Sequence, residues 1–380
     1  MRSSRLGLLG PLCLLIGTLT ACGGSPTESP GILPKAPAIE DKVLNVLNWS
    51  DYIAPDTLEK FTKETGIKVN YDVFDSNEVL ETKLLTGRTG YDVVVPTDYF
   101  LARQAKQGIL LPLDRSKLPN FANLDPDVMK QLEAADPGNH YGVPYAGVVT
   151  GIGYNVAKIR QALGDTPLDS WAVIFEPKYA AKLKACGLTI LDAQNEVFFS
   201  AKIWLGLDPA AESLADLSAS EAMLAKIRPF IRYFHSSQYI NDLANGETCI
   251  ALGWSGDMLQ ARDRAAEAGK SVQIGFIVPK EGALRTFDML AIPADAPHPV
   301  NAHKFINFLL RADISAELTK FRKFPAANLA AMKLLDPKLR EDPLIFPPAD
   351  VAARLKPHPA ESLTYTRYAN RAWTRIRTGH

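Results

Sequence analysis

Val43-Leu44-Asn45-Val46-Leu47, running straight into Asn48-Trp49-Ser50-Asp51, decides how this chain is built. A short apolar run that ends in an indole and a carboxylate reads as a strand presenting polar chemistry at its carboxyl end. Outward from it the signals alternate. Pro55 to Thr65 has helical character and is closed by Gly66, and Lys68 to Phe74 reads as a second strand. Asn77 to Thr86 reads as a helix with Ser76 as its N-cap, Asp92 to Pro96 as a short buried strand, and Phe100 to Gln107 as a further helix. This β-α-β-α-β order specifies an α/β fold, a parallel sheet wrapped by helices. Ligands of such sheets gather at the carboxyl ends of the strands, where Trp49-Ser50-Asp51 and Thr97-Asp98-Tyr99 fall.

A second, looser copy of the motif follows another apolar run: Cys249-Ile250-Ala251-Leu252-Gly253, then Trp254-Ser255-Gly256-Asp257. An aromatic face beside a carboxylate suits an organic cation, because the ring attracts the ammonium and carries its methylenes while the carboxylate pairs the charge. The two copies meet only if two parts of the molecule face each other. Tyr141 to Val156 and Phe276 to Pro293, which carries Asp288, both read as extended crossings. Between them come helices near Gly164 and Leu214 and a strand at Thr189-Ile190-Leu191; after them Val300 to Leu310 is helical. Two crossings imply two lobes with a cleft between. The Pro-broken, basic segment from Pro347 to His380 is expected to pack along one lobe.

The amino terminus points to export. Arg2 and Arg5 precede an apolar run from Leu6 to Ile16, too short to span a bilayer, and small residues lead to Cys22. Gly23 to Ala38 is a Gly-, Ser- and Pro-rich tether. With 42 basic and 42 acidic residues no net field draws the chain to nucleic acid. Of four cysteines, Cys13 lies in the signal and Cys22 at its end, leaving Cys186 and Cys249 either to pair or to stay as buried thiols.

Other patterns have plain readings. Asp75-Ser76-Asn77-Glu78 is a helix start and not a metal loop, and His235 has no second histidine at metal spacing. Gly151-Ile152-Gly153 lacks the rest of a dinucleotide fingerprint and reads as a hinge or strand feature. Arg371 to Arg377 is a solvated or packed basic tail. No activated nucleophile, metal site or cofactor loop is present, so an enzyme is not expected and no cofactor is assigned.

Longer runs carry a resemblance. Asn48-Trp49-Ser50-Asp51-Tyr52-Ile53, Tyr71-Asp72-Val73-Phe74-Asp75-Ser76-Asn77-Glu78, Thr150-Gly151-Ile152-Gly153-Tyr154-Asn155, Leu191-Asp192-Ala193 and Arg232 through Leu243 are similar to the periplasmic polyamine-binding proteins of ABC transporters, most closely the putrescine-binding branch. The resemblance covers nearly the whole chain beyond the tether. It implies a two-lobe type II periplasmic solute-binding fold, with a hinge and an interlobe cleft, and a Cys186–Cys249 disulfide. The expected division is a signal over 1–21 and an anchor and tether over 22–42. Residues 43–144 plus 289–318 would form the N-terminal lobe, and 145–288 plus 319–380 the C-terminal lobe. Leu19-Thr20-Ala21-Cys22 resembles the bacterial lipoprotein signal, implying acylation of Cys22 and a periplasmic body tethered to a bacterial membrane; a monomer is expected.

The implied ligand set is Trp49, Ser50, Asp51, Tyr52, Thr97 and Tyr99 from one lobe, and Glu196, Trp254, Asp257 and Asp288 from the other. Asp288 and Asp257 would take one ammonium, with Asp51 and Glu196 toward the other part of the cleft. Trp49, Trp254, Tyr52 and Tyr99 would sandwich the methylenes. The chain departs from the pattern at Thr286, where an aromatic is usual, and at Phe324, where a tyrosine is usual. Tyr99 matches the spermidine branch, Thr97 stands for a serine, and Asp98 is an additional carboxylate. The expected function is capture of putrescine or spermidine and delivery to an inner-membrane permease. The alternatives are a polyamine-sensing subunit of a membrane signalling system and a receptor for agmatine or cadaverine.

Overall fold

Residues 40–379 are described in a computed structural model, all within one compact unit spanning 38–380. The expected signal, Cys22 and the tether lie outside the described residues.

The opening run forms β1 (Val43–Trp49), which pairs in parallel with β2 (Lys68–Phe74) on one side and β3 (Val93–Val94) on the other. Between them lie α1 (Thr57–Thr65) and α2 (Asn77–Thr86), and α3 (Asp98–Lys106) follows. The caps come from the residues that the sequence marks. Gly66 closes α1 in the left-handed conformation (φ 71°), and the Ser76 hydroxyl accepts from the Val79 N–H at 3.2 Å. The third strand is shorter than expected and α3 begins two residues early, because Thr97 turns the chain just past Pro96.

β4 (Gly142–Asn155) is the long crossing. Its first half pairs antiparallel with β9 (Ala283–Ala291), and its second half with β7 (Ile250–Trp254) and β8 (Ile274–Ile277). A second parallel set, β5 (Leu188–Ile190) between β6 (Ile231–Phe234) and β7, lies beyond. The strand order is β2-β1-β3-β9-β4-β7-β5-β6, with β8 on β4 and β10 (Leu355–Lys356) on β9. Two parallel sheets are thus joined through an antiparallel centre, so the two Trp-Asp strand ends approach from opposite directions.

The remaining principal helices are α4 (Gln194–Trp204), α5 (Leu214–Ile227), α6 (Gln238–Asn245), α7 (Ser255–Glu267), α8 (Pro299–Leu309), α9 (Ala312–Arg322) and α10 (Leu363–Thr378). Gly153 on β4 is forced by α7, since a Cβ there would come within 1.9 Å of the Met258 sulfur. The basic carboxyl terminus is packed. Arg375 pairs with Glu221 at 2.6 Å, and Arg228 donates to the carbonyls of Ile376 and Arg377, tying α10 to α5.

Cys186 and Cys249 are bonded, with Cα atoms 5.4 Å apart. The pair ties the turn before β5 to the start of β7. No helix among the described residues is long and apolar enough to cross a membrane.

Candidate functional site

A cleft of about 460 Å³, counted to its open mouth, lies where the carboxyl ends of β1 and β7 converge beside β9. Its walls include Trp49, Tyr52, Trp254 and Phe324, and three buried carboxylates face it: Glu196, Asp257 and Asp288. Among the described residues none of these three belongs to an ion pair.

Each carboxylate is held by neutral donors. The Tyr52 hydroxyl donates to Asp288 at 2.6 Å and the Thr97 hydroxyl donates to its other oxygen at 2.8 Å. Thr97 is itself fixed by Asn77, whose amide donates to the hydroxyl and whose carbonyl accepts from the Thr97 N–H. Asp257 accepts from the Tyr239 hydroxyl, and Glu196 accepts from the Thr150 hydroxyl and from Trp254 Nε1 at 2.6 Å. Neutral donors orient a carboxylate without cancelling its charge.

Burial governs their titration. Loss of water pushes Asp257 and Glu196 up to about 7 and Asp288 up to about 6, against the opposing pull of their hydrogen bonds. Asp98, behind the cleft at the start of α3, is pushed up to about 8 for the same reason. Three desolvated acids, each fixed by neutral donors and none in an ion pair among the described residues, can take an organic cation, the ammonium supplying the pairing charge.

The indoles are fixed by their N–H groups, Trp49 Nε1 donating to the Val95 carbonyl at 2.9 Å and Trp254 Nε1 to Glu196. Their rings meet edge to face with centroids 5.7 Å apart. A methylene chain between two faces needs about 7 Å, twice a carbon contact. Trp49 and Trp254 therefore form one corner of the cleft, and not the two opposed walls expected. Phe324 completes the other side, its ring 5.3 Å from that of Tyr52 and pressed on Gly256, where a Cβ would lie 2.5 Å from the ring.

Eight of the ten expected residues line the cleft: Trp49, Ser50, Tyr52, Thr97, Glu196, Trp254, Asp257 and Asp288. Two do not. Asp51 has φ 56°, which turns its carboxylate out of the cleft onto Arg264 of α7 at 2.8 Å. Tyr99 stacks on His358, with ring centroids 4.5 Å apart, in an aromatic layer completed by Phe199. Its ring belongs to that layer and not to the cleft wall.

Val148, Ser236, Ser237, Ile240 and Asp75 line the cleft without having been singled out as ligand residues. Asp75, just before the helix start at Ser76, accepts from the Ser50 hydroxyl at 2.9 Å. Ser236 and Ser237 precede α6 inside the quoted run from Arg232 to Leu243; a polar pair just before a helix was the available signal. Thr286 does face the cleft, and Phe287 points away under Arg285, as strand alternation requires.

Comparison with known proteins places this geometry among relatives. A family model for bacterial extracellular solute-binding proteins matches residues 56–347. A putrescine-binding periplasmic protein of Pseudomonas aeruginosa is 51% identical over 345 residues, 90% of this chain and 94% of that protein. A putrescine-binding periplasmic protein of Escherichia coli is 50% identical over 344 residues, 90% of this chain and 93% of its own length. Among solved structures, a Listeria monocytogenes protein provisionally named for a spermidine/putrescine ABC transporter superposes with a TM-score of 0.80 at 30% identity, covering 89% of this chain and all of that one.

Proposed function

The chain belongs to the bacterial extracellular solute-binding proteins, and from that premise we propose that it captures a diamine of the putrescine class in the periplasm and hands it, unchanged, to an ABC permease. The observation that carries this reading is the convergence of Glu196, Asp257 and Asp288, all buried and none in an ion pair, on one aromatic-walled cleft. Walls alone would take any alkane, and carboxylates alone any cation. Together they ask for charged ends separated by methylenes.

In this reading Asp288, with Tyr52 and Thr97, and Asp257 hold one ammonium, and Glu196 lies toward the other. Trp254, Trp49 and Phe324 carry the chain between. Residues 43–144 plus 289–318 and 145–288 plus 319–380 act as the two lobes. Asp51 and Arg264 close the mouth between them when the lobes meet, a ligand-driven shift toward the closed population. Acylation at Cys22 tethers a monomer to the membrane, and replacing Cys22 by Ala would release the protein in soluble form.

Calorimetric titration of the body with putrescine, cadaverine, agmatine, spermidine and spermine tests the reading. One-to-one binding of putrescine well above the others supports it. Thr286 removes an aromatic ring from the wall, so preference for agmatine or cadaverine would move the assignment within the class. Silence toward all five by a folded, ligand-stripped protein would end it.

The acids give a second expected result. Cation binding requires ionised carboxylates, so diamine affinity rises from pH 5.5 to 8, and binding near pH 6.5 releases protons to the buffer. The folded-state values of Asp257, Glu196 and Asp288 lie above their unfolded values. Their contribution to stability is therefore complete below about pH 4 and is lost as pH rises through 6 to 7. Thermal unfolding of the empty protein should show that loss, and saturating diamine should offset it. Affinity independent of pH across this range would contradict the ionisation scheme.

A further inference from the structure

Arg322, the last residue of α9, is buried beside a cleft that is read above as a cation receptor. One guanidinium N–H donates to the Tyr145 carbonyl, while Nε and Nη1 have no hydrogen-bond partner among the described residues. Among the described residues no acid lies within ion-pair distance of it. The guanidinium instead stands 3.9 Å from the Tyr145 ring centroid and 5.5 Å from that of Tyr52. Tyr52 donates to Asp288. On the opposite flank the Gln260 amide donates to the Arg322 carbonyl at 3.3 Å and reaches Asp257 at 3.5 Å. The buried cation thus touches the tyrosine that supports Asp288, while the backbone carbonyl of the same residue meets the Gln260 amide beside Asp257.

An unpaired buried guanidinium is costly, and contact with two aromatic faces offsets only part of that cost. A neutral side chain would fill the space more cheaply unless the charge has a use.

We propose that Arg322 is the resident counter-cation of the cleft, a positioning residue whose fixed charge, one tyrosine away from Asp288, balances the carboxylates while the cleft is empty. The inference rests on the polyamine reading for its ligand, though not for its electrostatics.

The charge acts in two opposed directions. It favours ionised Asp288, which helps binding where protons compete. It also repels the incoming ammonium, which hinders binding once every carboxylate is ionised. The other groups facing Asp288 do not supply this balance. Tyr52, from the turn after β1, and Thr97, before α3, are neutral donors, and Asp98 on α3, Glu196 on α4 and Asp257 on α7 are acids. Arg264, the other cation near Asp257, is engaged with Asp51.

The test compares putrescine affinity from pH 5.5 to 9 for the wild type, Arg322→Met, which keeps bulk without charge, and Arg322→Lys, which keeps charge. Arg322→Met should bind about fivefold more weakly at pH 6, the fall in ionised fraction when an acid at about 6 rises by one unit. At pH 9 it should equal or exceed the wild type, and Arg322→Lys should follow the wild-type profile at both ends. A merely structural role lowers affinity by the same factor at every pH, and that parallel profile, or no change at all, overturns the proposal. Should Arg322→Met fail to fold, Arg322→Gln takes its place under the same criteria.

Unfolding of the empty proteins supplies a readout without ligand. Loss of Arg322 should steepen the fall in stability between pH 5 and 8, and an unaltered slope counts against the proposal. Failure of the wild type to bind any amine would overturn the polyamine reading alone, and the ligand-free slopes would still decide the role of Arg322.

Discussion

Asp288→Asn should lower diamine affinity by at least about thirtyfold, since stripping one partner from a buried charge pair costs about 2–5 kcal/mol. The substitution keeps the shape of the side chain; its single oxygen can still accept from one of the two hydroxyls, Tyr52 at 2.6 Å or Thr97 at 2.8 Å, while the other hydroxyl must turn to accept from the new NH2. What it removes is the charge that an ammonium would meet in a desolvated site. Because Asp288 is pushed up to about 6 by burial, the neutral amide also relieves the empty protein of a buried charge at neutral pH. The variant should therefore melt no lower than the wild type at pH 8 without ligand, while losing most of the stabilisation that diamine confers. The two measurements separate a binding role from a folding role. Wild-type affinity in a correctly folded Asp288→Asn protein would remove this carboxylate from the site.

Loss of the Cys186–Cys249 bond is the second large effect. The bond closes a separation of 63 residues, for which the chain-entropy account gives about 4 kcal/mol of stabilisation. Cys249 is fully buried at the head of β7, the strand that delivers Trp254 and Asp257, and Cys186 precedes β5, its parallel neighbour. Replacing both cysteines by alanine should lower the unfolding free energy by roughly 3–4 kcal/mol in denaturant titration. Diamine affinity, measured well below the melting temperature, should change far less, because neither sulfur lies in the cleft. Equal stability of the two forms would mean that the unfolded chain is already restricted in that region.

The α/β order of the first half was legible because each element carries its own local signal. Ser76 and Gly66 mark helix ends by their own hydroxyl and by freedom at positive φ, and the apolar runs before Trp49 and Trp254 mark strands. Trp49, Trp254 and Asp257 were legible for a related reason, since indole-carboxylate pairs at strand ends have little use in a core, whereas Tyr52, Thr97, Glu196 and Asp288 followed only from the family resemblance. Asp51 was not legible. The same Trp-Ser-Asp text would point its carboxylate into the cleft or away from it, and the choice depends on a left-handed backbone at Asp51 and on Arg264, far along the chain. Tyr99 was misread for a similar cause, since its stacking partner His358 comes from the carboxyl-terminal segment.

The sequence by itself determined the elements, the family and the chemical kind of the cleft, because helix caps, strand periodicity and residue type are local properties. Only the tertiary structure decided which carboxylates share one dry space, which rings oppose each other and which cation stands behind them. Those outcomes follow from burial and distance between residues remote in the chain. Arg322 shows the difference most plainly: in the text it is one arginine at the end of a helix of balanced charge, and in the fold it is the buried charge beside Tyr52 and Asp288.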